Sequence, residues 1–154
     1  LELAQINDDK LWVGRSLRYI GNTFEDREKR LEYYTKSLKL ANLVGDNEGI
    51  SANLNNIGNY YLHNDKYDKA LEYYTAKLNL EEKLDNKHEI GYALDNLGNI
   101  YYFKNRAINE DNYNKAIEYL GKGNKIKMEL SNRIKKQVPA QMVPILFLES
   151  TLNR

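Results

Sequence analysis

The stretch "NLNNIGNYYL" (53–62) decides the fold, because nearly the same phrase returns as "ALDNLGNIYY" (93–102) and as "SLRYIGNTFE" (16–25). Each copy keeps a leucine, an aliphatic residue directly before a glycine, and an asparagine directly after it. Gly58 and Gly98 lie 40 residues apart. Self-similarity at a fixed period of this size indicates a repeat architecture, in which each repeat is one small supersecondary unit.

A second phrase follows the glycine phrase. It reads "RLEYYTKSLKL" at 30–40 and "ALEYYTAKLNL" at 70–80, and "YNKAIEYLG" at 113–121 is similar to "YDKALEYYT" at 67–75. Both phrases have the helical period, with Leu54, Ile57, Gly58 and Tyr61 on one face. The sequence therefore predicts six helices in three helix–turn–helix units, at about 10–24, 27–44, 47–63, 66–84, 87–104 and 111–130.

The units divide the chain at about 10–46, 47–86 and 87–133, within a repeat domain over 1–133. Gly45 is a candidate C-terminal cap, and Asp46 or Asn47 a candidate N-cap for the next helix. Gly58 and Gly98 allow close approach of the partner helix, where we expect the small residues Ala70 and Ala116 to meet them. One member of each tyrosine pair should face the core.

The segment 134–154 breaks the pattern, with two prolines and an apolar run. We expect it to cap the open end of the third unit, or to form a degenerate fourth repeat. The alternative is that it lies in the groove of its own or a neighbouring molecule and imitates a ligand.

Composition narrows the function classes. The 154 residues include no cysteine, which excludes disulfides, thiolate metal sites and cysteine nucleophiles, and fits a cytoplasmic location. The net charge of +1 argues against a nucleic-acid binder. The apolar run "VPILFL" is too short to span a bilayer, and no secretory leader is visible. We expect neither nucleic acid nor a membrane as the partner.

The chain resembles the tetratricopeptide repeat family, whose units carry a large apolar residue, Leu-Gly and an aromatic in the first helix, then alanine and an aromatic in the second. In the first unit Arg30 replaces the alanine. The 40-residue period is longer than usual, and the closing proline is absent. The matching residues are Leu17, Ile20, Gly21 and Phe24, then Leu54, Ile57, Gly58, Tyr61, Ala70 and Tyr74, then Leu94, Leu97, Gly98, Tyr101, Ala116 and Leu120.

The resemblance implies an all-α fold, a right-handed superhelix (α-solenoid) whose first helices line a concave face that binds peptides or proteins. The residues expected on that face, relative to each glycine, are Arg15, Arg18, Tyr19 and Asn22, then Ala52, Asn55, Asn56 and Asn59, then Tyr92, Asp95, Asn96 and Asn99.

Asparagine recurs in the middle of these helices although it is a weak helix former, which indicates a specific role. Its side-chain amide can donate to a peptide carbonyl and accept from a peptide N–H together. In related arrays such asparagines grip bound peptides, and the resemblance implies that role here. The alternative interpretation is that they cap turns or bond neighbouring helices. Arg15 and Arg18 are candidates to hold acidic groups of a ligand.

No catalytic or metal-binding constellation is visible, and no cofactor is expected. His63 and His88 stand near predicted turns without a nucleophile or a second ligand at metal spacing. We therefore predict a non-catalytic protein- or peptide-binding module. The alternative is a regulatory or sensor portion of a larger bacterial signalling enzyme or transcription factor. A helical-repeat RNA binder is a weaker third hypothesis. Self-association through the C-terminal segment or the open repeat ends is a further expectation.

Overall fold

The computed structural model describes the backbone of residues 2–104 and 110–137, and the side chains from residue 6 to residue 133 apart from 105–109 and 113. The described residues form six helices and contain no strand, which confirms the predicted all-α fold built from three helical pairs. The helices are α1 (Glu2–Thr23), α2 (Arg27–Val44), α3 (Asn47–His63), α4 (Tyr67–Lys83), α5 (Lys87–Lys104) and α6 (Glu110–Gln137).

Each helix packs against its neighbours in the chain. The pairs α1–α2, α3–α4 and α5–α6 form hairpins, and α2 packs on α3 as α4 packs on α5. A hairpin in such an array cannot bury its apolar stripe alone, so adjacent units share a core. A buried hydrophobic cluster lies where α4 meets α5 and comprises Ala70, Tyr74, Leu78, Ile90, Ala93, Leu94, Leu97 and Ile100.

Both ends of α2 are capped, whereas Asp46, at the predicted N-cap position of α3, makes no side-chain capping hydrogen bond. Asp26 caps α2, since its carboxylate accepts from the backbone N–H groups of Glu28 and Lys29 at 2.8 and 3.2 Å. Gly45 has φ of 72° and ends α2 in the left-handed conformation, which confirms its predicted role. At the position of the family's alanine, Arg30 donates to the Phe24 carbonyl at 2.5 Å and so supports the short turn after α1.

Two helices are longer than the sequence patterns predicted. α1 begins at Glu2 rather than near residue 10, because good helix formers extend it before the glycine phrase begins. α6 runs to Gln137, so the first four residues of the predicted C-terminal segment belong to this helix. Residues 138–154, with their expected capping role, lie outside the described residues.

The glycines accommodate large side chains rather than the predicted alanines. A Cβ placed on Gly58 would lie 2.8 Å from Cε2 of Tyr74, and one on Gly98 would lie 2.6 Å from Cγ of Leu120. Gly21 meets Tyr34 in the same way, at 3.0 Å. The side chains nearest to Gly58 and Gly98 are therefore those of Tyr74 and Leu120, not the expected Ala70 and Ala116.

This contact predicts opposite signs for two Gly→Ala substitutions. Gly58→Ala should lower the free energy of unfolding by about 1–2 kcal/mol, because overpacking outweighs the gain in helix propensity. Gly121→Ala should raise it by about 0.5–1 kcal/mol, because nothing lies within 4 Å of a Cβ there. Urea unfolding followed by circular dichroism measures both. If the two variants change stability in the same direction, the Gly58–Tyr74 contact is not as described.

The residue directly before each glycine shows where the stack is open. Ile57 and Leu97 are each 1% exposed, whereas Ile20 at the matching position of α1 is 43% exposed. Val13, two helical turns before Ile20, is also exposed, whereas Ile90, at the matching position of α5, is buried. No helix precedes α1 in the described part of the chain. The apolar residues that are buried between units elsewhere are therefore exposed on this face of α1.

Candidate functional site

A cavity lies between α3 and α5, the first helices of the second and third units. Its volume is about 540 Å³, and α4 supplies Lys77 and Glu81 to it. Five residues predicted for the concave face line it together, which are Ala52, Asn55, Asn56, Tyr92 and Asn96.

A second cavity of about 300 Å³ lies between α2 and α3 and adjoins the first. Asn56 lines both cavities, and Asn59 lines the second. Basic groups from α2 also line it, those of Arg27 and Arg30. The two cavities therefore follow the same exposed side of α3, with the asparagine side chains between them.

Three of the cavity amides have unused hydrogen-bonding capacity. Asn55, Asn56 and Asn96 are half-buried, and within the described residues none of their side chains is hydrogen-bonded to another residue. An asparagine amide offers two donors and one acceptor oxygen. By contrast, Asn53 is fully buried and donates to Ser37 Oγ and to the Gly49 carbonyl, both at 2.8 Å. The chain thus contains both structural asparagines and free ones.

The asparagine after the glycine has a structural role in two units. The hydroxyl of Tyr74, whose ring packs on Gly58, donates to Oδ1 of Asn59 at 2.7 Å. In the first unit Tyr34 donates to Asn22 in the same way, at 2.6 Å. The glycine therefore admits the ring, and the asparagine satisfies the hydroxyl at its tip, which is the alternative interpretation that the sequence left open.

The third unit differs at this point. Leu120 replaces the tyrosine and has no hydroxyl, and Asn99 is exposed to solvent.

Burial raises the pKa of the Tyr74 hydroxyl above its ordinary value of 10, and burial raises that of Tyr34 as well. Both hydroxyls consequently remain protonated donors at neutral pH.

Arg15 and Arg18, the predicted clamp for acidic groups, have different surroundings. Arg15 pairs with Asp46 at 3.2 Å and with Glu48 at 3.4 Å, so carboxylates of the chain itself already hold it. Partial burial is the strongest single effect and raises the pKa of Asp46, but the hydrogen bonds that its carboxylate accepts and the charges of Arg15 and Arg18 together lower it below the ordinary value. The guanidinium of Arg18 lies over the ring of Tyr19, and its Nε is buried without a hydrogen-bond partner in the described residues.

Asp95 faces α6 rather than the cavity. Its carboxylate accepts from the ammonium of Lys127, and its other oxygen is buried without a partner among the described residues. Neither Asp95 nor Asn99 lines the two cavities, and Asn22 does not line them either. The structure thus brings together the predicted asparagines of α3 with Tyr92 and Asn96 of α5, and leaves the others apart.

Sequence patterns missed the charged floor of the larger cavity. Lys77 and Glu81 are 4% and 2% exposed. Lys77 Nζ pairs with Glu89 of α5 at 2.8 Å, and the Ser51 hydroxyl donates to Glu81. The available signal was their spacing, because residues 74, 77, 78 and 81 share one helical face with the core.

No model of a known protein family matches the sequence. Comparison with curated proteins finds no significant match. Within the described residues, no group of three His, Asp or Glu side chains is placed to hold a metal ion. In the same part of the chain, no helix combines the length and apolar character needed to cross a membrane.

Proposed function

We propose that this chain is a non-catalytic interaction module that binds an extended peptide, or an extended segment of a protein partner, along α3 and α5. The three units, with their glycine and tyrosine phrases, support a likeness to the tetratricopeptide repeat family and to its concave binding face. The module acts in the cytoplasm, for which the absence of cysteine is the supporting feature.

The observation that carries the proposal is the set of free amides in one cavity. Asn55, Asn56 and Asn96 are held on helices, so little backbone entropy is lost when they bind. A peptide backbone presents alternating carbonyl and N–H groups, which match the acceptor and donors of each amide. Such contacts hold a backbone in place without reading its sequence, and the shape and charge of the cavity select among side chains.

Asn59 and Asn22 contribute differently. Each accepts from a tyrosine through Oδ1, so the tyrosine hydroxyl fixes the orientation of the amide. Asn59 lines the smaller cavity, and its NH₂ donors make no hydrogen bond within the described residues. Asn59 is consequently expected to help the partner bind while also stabilising the fold, and removing it would mix the two effects.

The test uses a triple variant, Asn55→Ala, Asn56→Ala and Asn96→Ala. Peptides are first selected from a random phage-displayed library on the intact chain, and the affinity of a labelled selected peptide is then measured by fluorescence anisotropy. Losing hydrogen bonds from three amides, at about 0.5–1.5 kcal/mol each, should weaken binding on the order of 100-fold. Circular dichroism of the variant should be unchanged, because the three amides make no hydrogen bonds within the described fold.

The matched control removes three exposed amides from the second helices, as Asn42→Ala, Asn79→Ala and Asn124→Ala. Its affinity should stay within about twofold of the intact chain, since these residues line neither cavity. Equal binding by both triple variants would show that the cavity asparagines do not hold the peptide. A library that yields no binding peptide would count against peptide binding altogether.

A further inference from the structure

Glu81 is a buried carboxylate at the base of the larger cavity. It projects from α4 between α3 and α5, is 2% exposed and lines the cavity. One of its oxygens accepts from the Ser51 hydroxyl, and the other, Oε2, has no hydrogen-bond partner among the described residues. Leaving a charged group buried and unpaired is costly, so an unpaired carboxylate at this place indicates a missing partner.

The charges around the cavity are unequal. Three carboxylates line it, those of Glu48, Glu81 and Glu89, against the single ammonium of Lys77. Lys77 is paired with Glu89 at 2.8 Å, and Arg15 approaches Glu48 at 3.4 Å. Glu81 is therefore the carboxylate of this lining, within the described residues, that has no cation within ion-pair distance.

We propose that the cavity receives a cationic side chain, lysine or arginine, of the bound peptide, with Glu81 as its counter-ion. This inference rests on the proposed peptide-binding function and adds the charge of the residue selected. An ammonium or guanidinium group supplies the donors that Oε2 lacks. The aliphatic stem of the incoming side chain lies beside the exposed ring of Tyr92.

An acidic side chain fits this cavity poorly. The ammonium of Lys77 is 4% exposed and already hydrogen-bonded to Glu89, so an incoming carboxylate would have to break that pair. It would also meet the negative charges of Glu48 and Glu81. Discrimination between basic and acidic peptides therefore arises from repulsion as well as from attraction.

The probes are n-butylammonium chloride and sodium butyrate, small mimics of basic and acidic side chains. Each is titrated at millimolar concentration and pH 7 into the ¹⁵N-labelled full chain, followed by amide resonances. Butylammonium should shift the resonances of Ser51, Asn55 and Asn96, and butyrate should leave them unmoved. Butyrate shifts equal to those of butylammonium, or no butylammonium shift at all, would overturn the proposal without any variant being needed.

Two neighbouring variants locate the charge. Glu81→Gln keeps the shape and removes the charge, and should weaken butylammonium binding at least fivefold. Glu82→Gln removes the same charge from the next residue of α4, which is exposed, and should leave binding unchanged. Equal weakening by both variants would show a general effect of net charge and refute the role of Glu81.

The peptides selected on the intact chain separate this inference from the function it rests on. Enrichment of lysine or arginine, lost when selection is repeated on Glu81→Gln, supports it. Selected peptides without a basic residue that still require Asn55, Asn56 and Asn96 would overturn the basic specificity and leave peptide binding intact. Peptides that ignore the asparagines as well would overturn both.

Discussion

Tyr74→Ala is expected to lower the free energy of unfolding by about 3–5 kcal/mol, the usual cost of truncating a fully buried aromatic side chain. Tyr74 is 0% exposed, packs its ring on Gly58 and donates its hydroxyl to Asn59. It also belongs to the core shared by α4 and α5. Because domains are typically stable by about 5–15 kcal/mol, this loss is a large part of the total. Urea unfolding monitored at 222 nm measures it.

Two control variants separate the contributions. Tyr73→Ala removes the neighbouring ring, which is partly exposed and stacks on Tyr61 at 5.4 Å, and should cost about 1 kcal/mol. Tyr74→Phe removes only the hydroxyl and should cost about 1 kcal/mol, since it ends one hydrogen bond and leaves the ring in place. If Tyr73→Ala proves as damaging as Tyr74→Ala, the assignment of Tyr74 to the core is wrong.

Lys77→Met is expected to lower the free energy of unfolding at pH 7 by about 2 kcal/mol. Methionine replaces most of the buried stem but removes the cation that pairs with Glu89. Breaking a fully buried ion pair costs about 3–5 kcal/mol, and the value here is smaller because the Glu89 side chain is 33% exposed and partly solvated. Lys83→Met, in the exposed last turn of α4, should change stability by less than about 0.5 kcal/mol.

The effect of Lys77→Met should depend on pH. The hydrogen bond from Lys77 lowers the pKa of Glu89 below its ordinary value of 4.5, and partial burial opposes this only in part. A lowered pKa stabilises the fold fully above the ordinary value, and that stabilisation is lost as the pH falls through the folded-state pKa. The difference between the intact chain and the variant should therefore be largest near neutral pH and shrink below pH 4.5. A difference that grows on acidification would contradict the Lys77–Glu89 pair.

Most of the fold was predictable from the repeated phrases. The helical period identifies each buried face, and Gly45 marks the end of α2 through its backbone freedom. Three of the four tyrosine pairs have one buried member as predicted, namely Tyr34, Tyr60 and Tyr74, whereas neither Tyr101 nor Tyr102 is buried. The start of α1 and the end of α6 were less predictable, because helix formers lie outside the repeated phrases and neither proline nor glycine stands between the predicted and the observed helix ends.

The site was predictable only in part, because the helical period gives a face but not the neighbours of a side chain. Asn55, Asn56 and Asn96 were found from their positions relative to the glycines. The same rule placed Asp95 with them, although Lys127 of α6 draws its carboxylate away. Lysine and glutamate are usually solvated, so sequence reasoning overlooked Lys77 and Glu81 even though their spacing placed them on the buried face.

The glycine–asparagine phrase illustrates why one pattern can serve two purposes. The helical period gives the face on which an asparagine lies. It does not distinguish a bond to a partner helix from a bond to a ligand, since both lie on the same side of α3. Oδ1 of Asn59 bonds the hydroxyl of Tyr74, so this residue has a structural role, whereas the absence of any bond within the described fold leaves the whole Asn56 amide available. The units differ in the residue that packs on the glycine, which is tyrosine in the first two units and leucine in the third.

The side-chain NH₂ resonances of the asparagines, recorded while a selected peptide is titrated into the ¹⁵N-labelled chain, test the central claim most directly. The account predicts that the signals of Asn55, Asn56 and Asn96 shift together and saturate at one dissociation constant. The buried Asn53 and the exposed Asn79 should not move. Saturating binding that leaves the three cavity signals in place, or that moves Asn79 instead, would contradict the claim that these free amides hold the partner.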